Sequence, residues 1–172
     1  AGPPSITVQP NSGDELIGNG DFTNETIAPW EPGIEAEQVD TDQGPAMRLR
    51  STEDTSRARQ VIDLSLAPDS RYELTALARV DPGVIASVYL VGSGGFIATT
   101  SIDSVQWQTV VLEFTTDASW VSDLKLTLEN WKNQPGAAWF TDIQLRAIGT
   151  EWAPTTDIVP LPAEGFNETF DS

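Results

Sequence analysis

The chain predicts an antiparallel all-β sandwich of the jelly-roll kind, a single domain with extended tails. Three observations carry that reading. Apolar side chains recur at every second position rather than at helical spacing. The runs are broken by turn residues, as at Ala67-Pro68-Asp69-Ser70, Asp81-Pro82-Gly83, Gly92-Ser93-Gly94-Gly95 and Gln134-Pro135-Gly136. No stretch reads as a long amphipathic helix, and many short strands at this spacing make a sandwich.

Taken in order, residues 1–13 are rich in Pro, Gly and Ser and read as a linker, with Ile6-Thr7-Val8 as a possible edge segment. Residues 14–149 hold the alternation. Met47 and Leu49 face one way, Arg48 and Arg50 the other. Ala58, Gln60, Ile62 and Leu64 alternate with Arg59, Val61 and Asp63. Tyr72, Leu74, Ala76 and Ala78 then stand against Glu73, Thr75, Leu77 and Arg79, and Ala86, Val88 and Leu90 against Ser87, Tyr89 and Val91. The last two runs set Val110, Leu112 and Phe114 against Thr109, Val111 and Glu113, and Leu124, Leu126 and Leu128 against Lys125, Thr127 and Glu129. In each, the first set is expected to fill a core. Residues 150–172, with acids and prolines but no Lys or Arg, read as a linker leading to a further domain. Asn24-Glu25-Thr26 and Asn167-Glu168-Thr169 match the glycosylation acceptor pattern, one that often arises by chance.

Composition narrows the chemistry. The 172 residues suffice for one well-buried core, and 39% are hydrophobic. A net charge of −17 argues against general affinity for nucleic acid or an anionic membrane. With neither Cys nor His, thiolate nucleophiles, thiolate zinc sites and His-dependent triads are excluded. No run of eighteen apolar residues exists to form a transmembrane helix. Carboxylate-pair catalysis remains, with Asp103, Glu113 and Glu129 as the nameable acids. Their positions fit solvated strand faces and loop ends better, and no enzyme activity is expected.

Four motifs in order point to a family. Glu15-Leu16-Ile17-Gly18-Asn19-Gly20-Asp21-Phe22 joins an apolar pair, a turn dipeptide and an aromatic, and runs on to Pro29-Trp30-Glu31. Tyr72 to Arg79, Trp107-Gln108-Thr109-Val110, and Trp139-Phe140-Thr141-Asp142-Ile143-Gln144-Leu145 follow. Over roughly residues 14–148 this resembles the β-sandwich carbohydrate-binding modules of the family 4/9/16/22 type. The resemblance implies a non-catalytic module, a monomer, that targets an enzyme domain of the same secreted parent chain to a polysaccharide. It also implies a structural Ca²⁺, carried over onto Asp21, Thr23, Glu25 and Asp142 with carbonyls near Gln43-Gly44. Thr23 stands where that family places an acid.

Sugar binding needs flat rings for the apolar face of a pyranose and planar polar groups for its hydroxyls. Tyr89 has outward parity, and Glu129 and Trp131 continue the parity of Lys125 and Thr127 into a polar loop. Arg79 is expected on the neighbouring strand's outward face, and Trp139 on either face. The predicted ligand surface is therefore Arg79, Tyr89, Glu129, Trp131 and Trp139. Trp30 and Trp107 read as core or edge plugs, Phe22, Tyr72 and Phe114 as core, Trp120 as a loop residue and Trp152 as part of the tail. Seven of the nine basic residues are Arg, and Arg48, Arg50, Arg57, Arg59 and Arg79 fall within a short stretch of strands. Two readings stay open for these: recognition of an acidic polysaccharide, or local pairing with Asp40, Asp42, Glu53, Asp54 and Asp63. A spacer sandwich that binds no sugar is the alternative to the binding module.

Overall fold

The computed structural model describes residues 15–150, and the expectations for residues 1–13, for the tail beyond 150, for Trp152 and for Asn167 lie outside them. Ten strands are present: β1 (Trp30–Pro32), β2 (Ala36–Thr41), β3 (Gly44–Arg50), β4 (Ser56–Ile62), β5 (Ser70–Val80), β6 (Ala86–Gly92), β7 (Gly95–Ile102), β8 (Gln108–Thr115), β9 (Leu124–Asn130) and β10 (Ala137–Thr150). They form two five-stranded sheets, here the front sheet, β1-β4-β9-β6-β7, and the back sheet, β2-β3-β10-β5-β8. Every neighbouring pair is antiparallel. No helix occurs among the described residues.

The sheets pack face to face because each strand buries alternate side chains. In β4 the buried positions are Ser56, Ala58, Gln60 and Ile62, and in β5 they run Ser70, Tyr72, Leu74, Ala76, Ala78 and Val80. Met47, Leu49, Leu74, Leu90, Leu124, Leu126, Leu128 and Phe140 are all fully buried. Each such side chain contributes roughly 1.5–3 kcal/mol through removal from water. The six alternating runs therefore occupy the core face as expected, although Leu64, Leu112 and Phe114 are only half-buried.

The opening motif is a seam between the two sheets. Leu16 N donates to Leu145 O at 2.9 Å and Ile143 N to Gly20 O at 3.0 Å, which ties the motif to β10 of the back sheet. Buried Gln60 of the front sheet grips Gly18 from the other side: Gln60 Nε2 donates to Gly18 O at 2.9 Å, and Gly18 N donates to Gln60 Oε1 at 2.8 Å. Asn19 takes a positive φ of 50°, and its side-chain amide donates to Thr26 O, Ile27 O and Ala28 O. Trp30 Nε1 donates to Asn19 O, and the Trp30 ring lies 5.4 Å from that of Phe22, with both buried. The motif thus closes one edge of the core.

Four strands, β1, β2, β7 and β10, lie outside the six alternating runs, and for β2 and β7 the reason is plain. Both lie at sheet edges, so neither face is fully covered and Glu37, Gln38, Phe96 and Thr99 stay exposed. A second departure matters more. β5 and β6 are consecutive in sequence but lie in opposite sheets, so the turn at Asp81-Pro82-Gly83 crosses the sandwich. Arg79 therefore does not share a face with Tyr89.

Candidate functional site: the outer face of the front sheet

The front sheet's outward side chains come from four central and edge strands in register. Arg57 on β4 lies opposite Glu129 on β9, which lies opposite Ser87 on β6. One row along, Arg59, Thr127 and Tyr89 are aligned, and Glu31 on β1 pairs with Arg59. Arg57, Arg59, Thr127, Tyr89 and Glu31, with Thr55 and the β1–β2 turn at Pro32, Gly33 and Ile34 as a wall, line an open cleft of about 660 Å³ beside Glu129.

Glu129 organises the centre of this face. Its Oε1 accepts from Arg57 Nε at 2.8 Å and from the Tyr89 hydroxyl at 3.0 Å, and its side chain is only 14% exposed. Burial, aided by the neighbouring carboxylate, pushes the Tyr89 phenol above its ordinary pKa, so it remains an O–H donor. The hydrogen bond to Glu129 likewise holds Arg57 more firmly protonated. The Tyr89 ring stacks on Phe96 at 5.4 Å, and Phe96 is 65% exposed. Glu129 thus fixes a phenol and a guanidinium before any ligand arrives.

Trp131 sits one residue beyond β9 and is 52% exposed. Its backbone is pinned although its ring is free: Trp131 O accepts from Ser51 Oγ at 2.7 Å and from Gln134 Nε2 at 3.3 Å. The following residue, Lys132, donates its N–H to Thr55 Oγ1. Buried Asn130 anchors the loop, its Nδ2 donating to Leu49 O and Gly136 O. The Arg57 guanidinium carbon lies 6.0 Å from the Trp131 ring centroid.

Of the predicted ligand residues, the structure brings Tyr89, Glu129 and Trp131 together on this face. Arg79 and Trp139 lie on the outer face of the back sheet, in β5 and β10. Trp107, expected as a plug, is half-buried on that same face, where its Nε1 donates to Asp42 Oδ1 at 2.9 Å. Arg57, Arg59 and Phe96 belong to the front face and were not among the predicted residues. The outward parity of β4 offered a signal for the two arginines, and an aromatic straight after the Gly94-Gly95 turn offered one for Phe96.

The arginines find their carboxylates locally, but not with the anticipated acids. Each of the seven has a carboxylate within 4.0 Å: Arg48 with Glu37, Arg50 with Glu35, Arg57 with Glu129, Arg59 with Glu31, Arg71 with Glu113, Arg79 with Asp81, and Arg146 with Glu15. Glu113 lies on β8 of the back sheet and Glu129 on β9 of the front sheet, while Asp103 follows β7.

The residues expected to hold Ca²⁺ are only partly assembled. Asp21, Thr23 and Asp142 line one polar depression, which Glu25 does not line. Asp21 Oδ1 accepts from both the N–H and the hydroxyl of Thr23, and Asp142 Oδ1 accepts from Gln144 Nε2 at 2.9 Å. Arg146 also lines the depression and carries a positive charge into it. Among the described residues no three acids are grouped so as to hold a metal, whereas Ca²⁺ takes six to eight oxygens. Three of the four expected ligands thus share one depression, with Glu15 and Arg146 beside them. Because no three acids are grouped there, EDTA is expected to leave the thermal unfolding midpoint unchanged. A rise of several degrees on adding CaCl₂ would show instead that Asp21 and Asp142 close on an ion.

The chain has the fold of the β-sandwich carbohydrate-binding modules. A family 16 carbohydrate-binding module superposes with a TM-score of 0.60 at 20% identity, over 76% of this chain and 98% of that one. TmCBM61, solved with β-1,4-galactotriose, superposes at 0.58 and 13% identity, over 78% and 99%. The CBM22-1 and GH10 modules of Clostridium thermocellum endo-1,4-β-D-xylanase 10B, solved with xylohexaose, match at 0.54 and 14% identity, over 77% of this chain and 28% of that one. No protein-family model matches the sequence, and no curated protein matches it.

Proposed function

We propose that the chain is a non-catalytic carbohydrate-binding module whose sugar surface is the outer face of the front sheet. The carrying observation is the Glu129 cluster, in which a phenol and a guanidinium are preset beside the exposed ring of Trp131. Trp131, Tyr89 and Phe96 offer flat apolar area for pyranose rings. Arg57, Arg59 and the remaining oxygen of Glu129 offer donors and an acceptor for hydroxyls. Because these groups are held by the sheet and the pinned loop, little ordering entropy is lost on binding.

The preferred ligand is an uncharged polysaccharide rather than an acidic one. Every arginine on this face already has a carboxylate partner, and a chain of net charge −17 repels polyanions. The fusion of a similar module to a xylanase domain supports the further reading that this one serves an extracellular polysaccharide-degrading enzyme.

Affinity-gel electrophoresis tests this on β-glucan, xylan, mannan, β-galactan and alginate at low and high salt. Retardation on at least one neutral glycan, undiminished by salt, is the expected result. Retardation on alginate alone, abolished by salt, would overturn the neutral assignment. Free migration on every gel would leave the spacer reading in its place.

A further inference from the structure

A second constellation occupies the opposite face of the molecule, with no connection to the cleft. On the back sheet, Trp139 of β10 lies opposite both Arg48 of β3 and Arg79 of β5. The Arg79 guanidinium carbon lies 4.3 Å from the Trp139 ring centroid and 5.9 Å from that of Trp107. Its Nε is shielded and has no hydrogen-bond partner, and its Nη2 is 4.0 Å from Asp81 Oδ1, too far for a hydrogen bond. Arg79 is therefore held chiefly by the two indoles.

The β2–β3 turn completes the constellation. Thr41 Oγ1 donates to Gly44 O at 2.7 Å and accepts from Gln43 N at 3.0 Å, while Gly44 takes a φ of +94°. Asp40, near the end of β2, and Asp42, in the turn, both line the hollow beside the indoles. Asp42 anchors Trp107 through its Nε1–H, whereas the exposed carboxylate of Asp40 accepts no hydrogen bond among the described residues. Asp40, Thr41, Asp42, Arg79, Trp107 and Trp139 line a hollow of about 240 Å³.

Two aromatic rings, a guanidinium with donors to spare and a free carboxylate make a site for a hydroxyl-bearing ring. A cationic ligand is disfavoured because Arg79 already takes the cation's place on the Trp139 ring, and an anionic one because Asp40 and Asp42 flank the opening. We propose that this hollow is a second sugar site, taking a single neutral pyranose ring on the face opposite the cleft. Two sites on opposite faces let one module bridge two glycan strands and gain avidity without a tighter contact at either.

The test is an NMR titration of the ¹⁵N-labelled chain with methyl β-D-glucoside, methyl β-D-galactoside and methyl β-D-xyloside, read at the indole N–H signals of Trp107 and Trp139. At least one sugar should shift both signals to saturation, and Trp131→Ala should leave that response in place. Asp40→Ala, at an exposed position outside the core, should weaken it by about tenfold or more, the usual loss for a hydrogen bond to a charged group. No saturating shift with any of the three sugars overturns the second site. So does a response that survives Asp40→Ala but vanishes in Trp131→Ala, since the sugar would then lie in the cleft. A response at Trp107 from a chain that every gel leaves unretarded would retain the second site and remove the first.

Discussion

Replacing Trp131 with alanine should weaken retardation on the preferred glycan about thirtyfold, a loss of about 2 kcal/mol typical of an aromatic at the centre of a binding surface. Two features make the expected loss so large. The ring is 52% exposed on a loop whose backbone is fixed by Ser51, Gln134 and Asn130, so it meets a sugar with little ordering cost. It also lies beside Arg57, which Glu129 orients, so loss of the ring removes one wall from a set of donors still in place. Stability should barely change, because the indole fills no core position and the loop's hydrogen bonds are made by backbone and other side chains. Matching denaturation midpoints for the variant and the parent chain, alongside the lost retardation, would establish this. If the variant kept full retardation, Trp131 would have no place in the surface.

Gly20→Ala should have the opposite profile, with a large loss of stability. A Cβ at Gly20 would stand 2.0 Å from Ile143 O, the carbonyl-bearing backbone of β10 against which the opening motif packs. Backbone cannot rotate away as a flexible side chain can, so the Gly20 O to Ile143 N hydrogen bond must break or the seam must open. Opening the seam disturbs Gln60's grip on Gly18 and the Phe22–Trp30 pair beneath it. The expected cost is about 3–5 kcal/mol, in the range reserved for strained backbone and broken buried networks. For a domain of this size, that lowers the melting temperature by on the order of ten degrees. Calorimetry on the purified variant reads it directly. A midpoint within a degree or two of the parent's would mean that the seam is not what holds the edge of the core.

These two residues also show what the sequence could disclose. The opening motif was legible as a marker of fold, since Asn19-Gly20 demands a turn and Phe22 and Trp30 demand burial. Its work in joining Gln60 of one sheet to Ile143 and Leu145 of the other was not, because those partners lie far away in the chain. Period-two alternation exposed β4, β5 and β9, whose inner faces are dry. It was silent on β2 and β7, where an edge position wets both faces and erases the pattern. Parity alone placed Tyr89 and Glu129 outward, and the polar loop marked Trp131, so half of the candidate site was readable. Arg79 lies away from Tyr89 because the 81–83 turn carries the chain across the core, so neighbours in sequence are not neighbours in a sheet. Arg48, Arg50, Arg57 and Arg59 pair with Glu37, Glu35, Glu129 and Glu31, partners that only strand register reveals.

The central claim is that sugar binds the outer face of the front sheet, around Glu129. Backbone and side-chain NMR shift mapping tests it most directly, using a hexasaccharide of whichever neutral glycan retards the chain. The account predicts perturbations concentrated at Arg57, Tyr89, Phe96, Thr127, Glu129 and Trp131. Perturbations confined to the loops at the ends of the sandwich, with those six residues unmoved, would contradict it.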